Sequence, residues 1–125
     1  MMYDTDVFTW FVRGNEKAAR VFEKDGEKCI SIQSYMELLQ GARDRAEQKL
    51  LKDFIYTFGF SVFPITENVA HRALIYVEEY SLAAGMRSAD ALIAATAVEN
   101  NVALMSANVK HFRAVKELQL KIFRP

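Results

Sequence analysis

Apolar positions along this chain follow two rhythms. Between Asn15 and Asp25, Ala18 and Phe22 lie four apart among charges, and Gly26 follows. That is an amphipathic helix capped at Asn15. Ala46, Leu50, Phe54 and Phe58 repeat the same interval. They predict a mostly helical stretch over Ser34–Phe58 with that row as its apolar face. Thr66 caps a further helix with the stripe Val69, Ala73, Val77, Tyr80 and Ala84, ended by Gly85. Ser88 caps another over Ala89–Asn100 that is apolar on every side, and a helical patch is expected over Val7–Val12. The second rhythm is short and rich in β-branched and aromatic residues. It predicts strands at Lys28–Ile32, Phe60–Ile65, Val102–Ser106 and Leu118–Phe123, after an extended start at Met1–Asp4. Pro64 places the Phe60–Ile65 strand at a sheet edge.

Strands separated by long helical stretches cannot form hairpins. They imply right-handed crossovers and a mostly parallel central sheet with helices on both faces, a three-layer α/β/α architecture. No repeat or linker interrupts the chain, and its 125 residues suit one domain over 1–125.

Composition narrows the class. The single cysteine excludes an internal disulfide framework. No apolar run approaches the roughly 18 residues of a membrane span, and Met1-Met2-Tyr3-Asp4 does not open a signal peptide. A soluble, cytoplasmic protein with no membrane partner is expected. Sixteen basic and sixteen acidic side chains cancel, so affinity for nucleic acid must be local. From Met105 onward, Lys110, Arg113, Lys116, Lys121 and Arg124 face only Glu117, a net +4 that can attract phosphate or be plain solvated surface.

In open parallel sheets, ligands bind beyond the carboxyl ends of the strands. The polar residues there are Asp4, Thr5 and Asp6, then Glu37 in the first turn of the next helix, then Ser106 and Asn108. Asp90 opens the uniformly apolar helix. Each has a local explanation. Asp4, Asp6 and Asn108 suit turns, Glu37 completes a Ser34-x-x-Glu37 capping box, and Asp90 suits a helix N-terminus. Together they point further. Three carboxylates converging within a few ångströms would force one to protonate, and a divalent cation removes that conflict. Oxygen donors without clustered Cys or His select Mg²⁺ or Mn²⁺ over Zn²⁺. There is no Gly-rich phosphate loop, Gly-x-Ser-x-Gly elbow or Cys-x-x-Cys pair, and Cys29 reads as core.

Four blocks, in order, resemble the PIN domain, and within it the VapC-type ribonuclease toxins of toxin–antitoxin pairs. They are Tyr3-Asp4-Thr5-Asp6-Val7, Ser34-Tyr35-Met36-Glu37-Leu38-Leu39-Gln40-Gly41-Ala42, Ser88-Ala89-Asp90-Ala91-Leu92-Ile93-Ala94-Ala95-Thr96-Ala97 and Leu104-Met105-Ser106-Ala107-Asn108-Val109-Lys110-His111-Phe112. The resemblance implies a Mg²⁺- or Mn²⁺-dependent endoribonuclease acting on structured RNA, often tRNA or a ribosomal RNA loop. It also implies a homodimer and a cognate antitoxin. The family's three acids match Asp4, Glu37 and Asp90, and Thr5, Asp6 and Ser106 match the polar positions beside them. Where the family often has a further carboxylate, this chain has Asn108 and, three residues on, His111.

On this resemblance Asp4, Asp90 and Glu37 hold one metal ion directly or through water, with Asn108 as an outer ligand, and activated water cleaves the phosphodiester. Arg87, Lys110, His111, Arg113 and Lys116 are candidate phosphate contacts, and Tyr3 and Trp10 are either stacking platforms or core aromatics. Trp10–Phe11–Val12 and the Ile75–Tyr80 helix are candidate surfaces for a second copy or an antitoxin helix. Two other readings share parts of the pattern. A phosphoacceptor receiver domain needs an Asp ending the central strand, whereas Phe60–Ile65 ends at Thr66. A catalytically inactive interaction module would explain Asn108 but leaves three retained acids without a purpose.

Overall fold

A computed structural model describes residues 1–125. Five strands, β1 (Met2–Tyr3), β2 (Cys29–Ser31), β3 (Ser61–Phe63), β4 (Leu104–Ser106) and β5 (Leu120–Ile122), form one all-parallel sheet in the order β3-β2-β1-β4-β5. Met2 lies in register with Cys29 on one side and Leu104 on the other, which makes β1 the centre. β3 is an edge strand, as Pro64 predicts. The order also excludes the receiver reading, whose doubly wound sheet runs 2-1-3-4-5.

Side-chain alternation divides the core into two layers. Met2, Cys29 and Leu104 join a cluster with Val69, Ala73, Tyr76 and the small residues of helix α6 (Ser88–Glu99). Tyr3 and Ile30 point into the opposite cluster, built on Val7, Phe8, Phe22, Ile55 and Phe60. Helix α5 (Glu67–Ala84) covers the first face beside α6. Helices α1 (Thr5–Val12), α2 (Glu16–Lys24), α3 (Ile32–Gln40) and α4 (Arg45–Thr57) supply the second. Tyr3 is fully buried, its ring edge-on to Phe22, so it is a core aromatic and not a stacking platform. No helix is long and apolar enough to cross a membrane.

Local chemistry sets most boundaries. Asn15 Oδ1 accepts from Ala18 N at 3.0 Å and Thr66 Oγ1 from Val69 N at 3.1 Å, each capping its helix as expected. Gly85 takes the left-handed conformation, φ 69°, that closes α5. Elsewhere the boundaries differ. Ser34–Phe58 is two helices, broken at Gly41 and restarted where Asp44 caps α4. The cap of α3 is Ser31, whose hydroxyl accepts from Ser34 N at 3.0 Å. The Ser34–Glu37 capping box is therefore absent, and Glu37 lies in the helix body. Ser88 is the first residue of α6, not its cap, a place taken by Arg87. The row Ala46, Leu50 and Phe58 is exposed, because α4 packs inward through Ile55 with Leu51 and Phe54. A one-turn helix α7 (Val109–Phe112) follows β4 where the sequence suggested only a turn.

Candidate active site

The chain leaves β1 through β2 to β3 on one side, then crosses to β4 and β5 on the other. Order thus reverses between β1 and β4, and a cleft opens beyond the carboxyl ends of these neighbours. Asp4, Thr5, Asp6 and Thr9 from the start of α1, Glu37 from α3, Arg87 and Asp90 from the head of α6, and Asn108 after β4 line it.

Asp4 occupies the junction of β1 and α1. It caps the helix, Oδ1 accepting from Thr5 N at 2.8 Å, and Oδ2 accepts from Ser106 Oγ at 2.7 Å. Its turn-like role and its place in the cleft are therefore compatible. With Asp4 only 7% exposed, burial raises its carboxyl to about 7, the nearby charges of Asp6 and Asp90 adding to the effect. Asp6 is raised as well, chiefly by burial. Its Oδ2 accepts from Ala107 N at 3.0 Å and from Ser106 Oγ at 3.4 Å, while Oδ1 is buried without a hydrogen-bond partner. Glu37 is held at both oxygens, by Gln33 Nε2 and Thr5 Oγ1, each at 3.1 Å. Asp90 Oδ2 accepts from Arg87 N at 3.3 Å and lies 2.9 Å from His111 Nδ1.

The candidate acids Asp4, Glu37 and Asp90, with Asn108, thus share one cleft, and Thr5, Asp6 and Ser106 brace it. The expectation of three carboxylates drawn within a few ångströms needs correction. No three Asp, Glu, His or Cys side chains are gathered closely enough to make a ready cation cage. Mutual repulsion and the separate tethers on Glu37 and Asp90 account for the spacing. Arg87 lines the cleft, whereas Lys110, His111 and Arg113 border an adjacent hollow with Ala83–Gly85, and Lys116 lines neither. Gln33 and Thr9 are additions that sequence reasoning missed. The i,i+4 spacing of Gln33 and Glu37 was the available signal for the first.

The cleft has the chemistry of a hard-cation site. All its negatively charged donors are carboxylate oxygens, one stranded in the protein interior, and burial together with the neighbouring acids raises Asp4. No cysteine lines it, and the threonine hydroxyls are committed: Thr5 donates to Glu37, and Thr9 to the Thr5 carbonyl at 3.2 Å.

The PIN domain family model matches residues 1–118. The chain is 32% identical over 124 residues to ribonuclease VapC10 of Mycobacterium tuberculosis, covering 95% of this chain and 90% of that one. It is 31% identical over 104 residues to ribonuclease VapC1 of Methanocaldococcus jannaschii, covering 83% and 76%. A solved toxin–antitoxin complex from Klebsiella pneumoniae contains a chain of the same fold, with a TM-score of 0.80 at 23% identity, covering 99% of this chain and 96% of that one. The chain belongs to the PIN-domain family and, within it, to the VapC ribonucleases.

Proposed function

We propose that this chain is a Mg²⁺- or Mn²⁺-dependent endoribonuclease that cuts structured RNA, tRNA or a ribosomal RNA loop, and that a cognate antitoxin silences it. The observation carrying this reading is buried Asp4 beside half-buried Asp6 at the sheet's switch point, Asp6 Oδ1 without a hydrogen-bond partner, in a cleft shared with Glu37 and Asp90. Like charges so placed are costly unless a proton or cation joins them. Mg²⁺ or Mn²⁺, when bound, supplies Lewis acidity that activates water and offsets charge on the phosphodiester.

The protein's own groups do the rest. Asp4, Asp90 and Glu37 would hold the cation, and Asn108 would add a neutral carbonyl oxygen. Ser106 keeps Asp4 turned toward β4, and Asp6 pins the Ala107 backbone, so the loop carrying Asn108 is fixed. Arg87 at the cleft, with Lys110 and Arg113 beside it, contacts phosphates flanking the scissile bond.

The antitoxin has a groove suited to it. Phe11, Val12, Leu38, Leu50, Leu51 and Phe54 form an apolar channel between α1, α3 and α4 that also reaches Thr5, Thr9 and Glu37. Val12 and Leu50 are 61% and 69% exposed, so a partner helix has apolar surface to cover. Leu74, Ile75 and Leu82 on α5 offer a separate exposed face for a second copy, checked by light scattering at micromolar concentration. The decisive experiment compares Asp4→Asn, Glu37→Gln and Asp90→Asn with the native chain on a tRNA and ribosomal RNA pool, with Mg²⁺ or with chelator. Loss of about 100-fold or more for Asp4→Asn and Asp90→Asn, with each variant still unfolding in one cooperative transition, is expected. Full activity in either, or undiminished cleavage in chelator, overturns the reading.

A further inference from the structure

Helix α7 is a single turn, and it places an imidazole against the acidic cleft. His111 Nδ1 lies 2.9 Å from Asp90 Oδ2, and the two side chains are 25% and 16% exposed, so water competes poorly for the bond. A carboxylate only accepts, which makes Nδ1 the donor and leaves the lone pair of a neutral ring on Nε2. The Arg87 backbone amide reaches the same Oδ2 at 3.3 Å. Both hydrogen bonds therefore fall on one oxygen of Asp90, fixing the carboxylate's rotation and leaving Oδ1 for a ligand. Asn108 Nδ2 lies 3.2 Å from the same ring nitrogen, but as a donor it cannot accept from Nδ1–H, so Asp90 is the acceptor that Nδ1 serves.

We propose that His111 is a positioning residue for the reaction, holding Asp90 in its ligating orientation by donating from Nδ1 and fastening α7 to the head of α6. It stands three residues beyond Asn108, where this chain has no further carboxylate, and so contributes orientation in place of charge. Groups that orient metal ligands in this way typically govern metal affinity by about 10- to 100-fold. The inference rests on the reading of Asp90 as a cation ligand.

The test uses the full chain with His111→Ala, His111→Asn and Asp90→Asn. Mn²⁺ affinity is measured by calorimetry, and RNA cleavage is followed against Mn²⁺ concentration. Asparagine places an N–H where Nδ1 stands, so it keeps the donor and discards the ring. His111→Ala should weaken Mn²⁺ binding about 10-fold or more and regain most of its cleavage at saturating metal, whereas His111→Asn should restore affinity to within a few-fold of the native chain. In the ¹⁵N spectrum of the metal-free native protein, His111 should carry its proton on Nδ1. Unchanged Mn²⁺ affinity in His111→Ala, equal losses in the alanine and asparagine variants, or a neutral ring protonated on Nε2 alone overturns the proposal. If Asp90→Asn leaves Mn²⁺ binding and cleavage intact, the assignment of Asp90 itself fails, and the proposal with it.

Discussion

Ser106 and Asp4 stand 102 residues apart in sequence, yet the Ser106 hydroxyl donates to Asp4 Oδ2 at 2.7 Å between adjacent strand ends. The same hydroxyl accepts from Asn108 N at 2.9 Å and is fully buried. One small side chain thus satisfies an acid of the cleft and the amide that starts α7. Ser106→Ala leaves both without this partner, at a cost of roughly 1–3 kcal/mol in urea denaturation. The Ser106 bond also lowers the Asp4 pKa. The variant should therefore hold the Asp4 proton to higher pH, and metal-stimulated cleavage should begin at higher pH than in the native chain.

Asp4 makes the metal-free protein lose stability between mildly acidic and neutral pH. Its carboxyl is raised to about 7 in the folded state from an ordinary 3.8. Between those values the folded protein keeps a proton that the unfolded chain has released, so stability falls as pH rises and levels off above about 7. Asp4→Asn removes that titration. Its amide oxygen can still accept from Thr5 N, and its amide N–H can donate to Ser106. In chelator at pH 8 this variant should melt above the native chain, by at most about 4 kcal/mol, and the gap should close toward pH 4. Asp6, raised in the same direction, preserves a weaker slope in both proteins. Added Mg²⁺ should stabilise the native chain and not the variant, reversing their order. Melts across pH, with and without metal, check each statement.

Arg72 ties down the far side of the fold. Its guanidinium meets Glu99 at the end of α6 at 2.5 Å and Glu117 before β5 at 2.7 Å, and Tyr76 donates its hydroxyl to Glu117. Because the group is one-third exposed, solvent screening limits its worth, and Arg72→Ala should cost about 1 kcal/mol. RNA cleavage per folded molecule should be unchanged, since none of these residues lines the cleft. A larger loss of activity than of stability would mean that the β5 edge communicates with the site.

The parts of this structure legible in sequence are those with strong local signals. The alternation that sends Met2 and Tyr3 to opposite faces, Pro64 at the edge strand, and the Asn15, Thr66 and Gly85 signals all carry their meaning within a few residues. Asp4, Glu37, Asp90 and Asn108 could be nominated because strand ends are where such a sheet binds ligands. Their mutual bracing could not be read, because it depends on tertiary approach. Thr5 meets Glu37 across 32 residues, and His111 meets Asp90 across 21. The four-residue row on α4 misled for a related reason. Its spacing reports an amphipathic face but not which face the core takes, and Leu50 belongs to an open groove. Ser34 and Ser88 each offered a plausible cap, yet α3 starts one turn earlier at Ser31 and α6 one residue earlier at Arg87.

Charge around the cleft makes a final prediction about RNA binding. The chain is neutral overall, so non-specific attraction across the whole surface should be weak. Binding must then depend on the few cations beside the acidic cleft, Arg87 at its rim and Lys110 and Arg113 around the neighbouring hollow. Each phosphate contact contributes about 0.7–0.9 to the slope of log affinity against log salt. With Asp90→Asn as a background to suppress cleavage, removing both Lys110 and Arg113 should flatten that slope by roughly 1.5 and weaken binding at low salt. The loss should be similar for unrelated RNA sequences, because phosphate contacts carry no base information. Replacing Lys121, which lines neither cavity, should leave the slope where it was. Filter-binding titrations between 50 and 300 mM salt, on the order of the range where such slopes are linear, decide the matter. An unaltered slope in the double variant would move the RNA path away from α7, toward the open side of the cleft at Arg87.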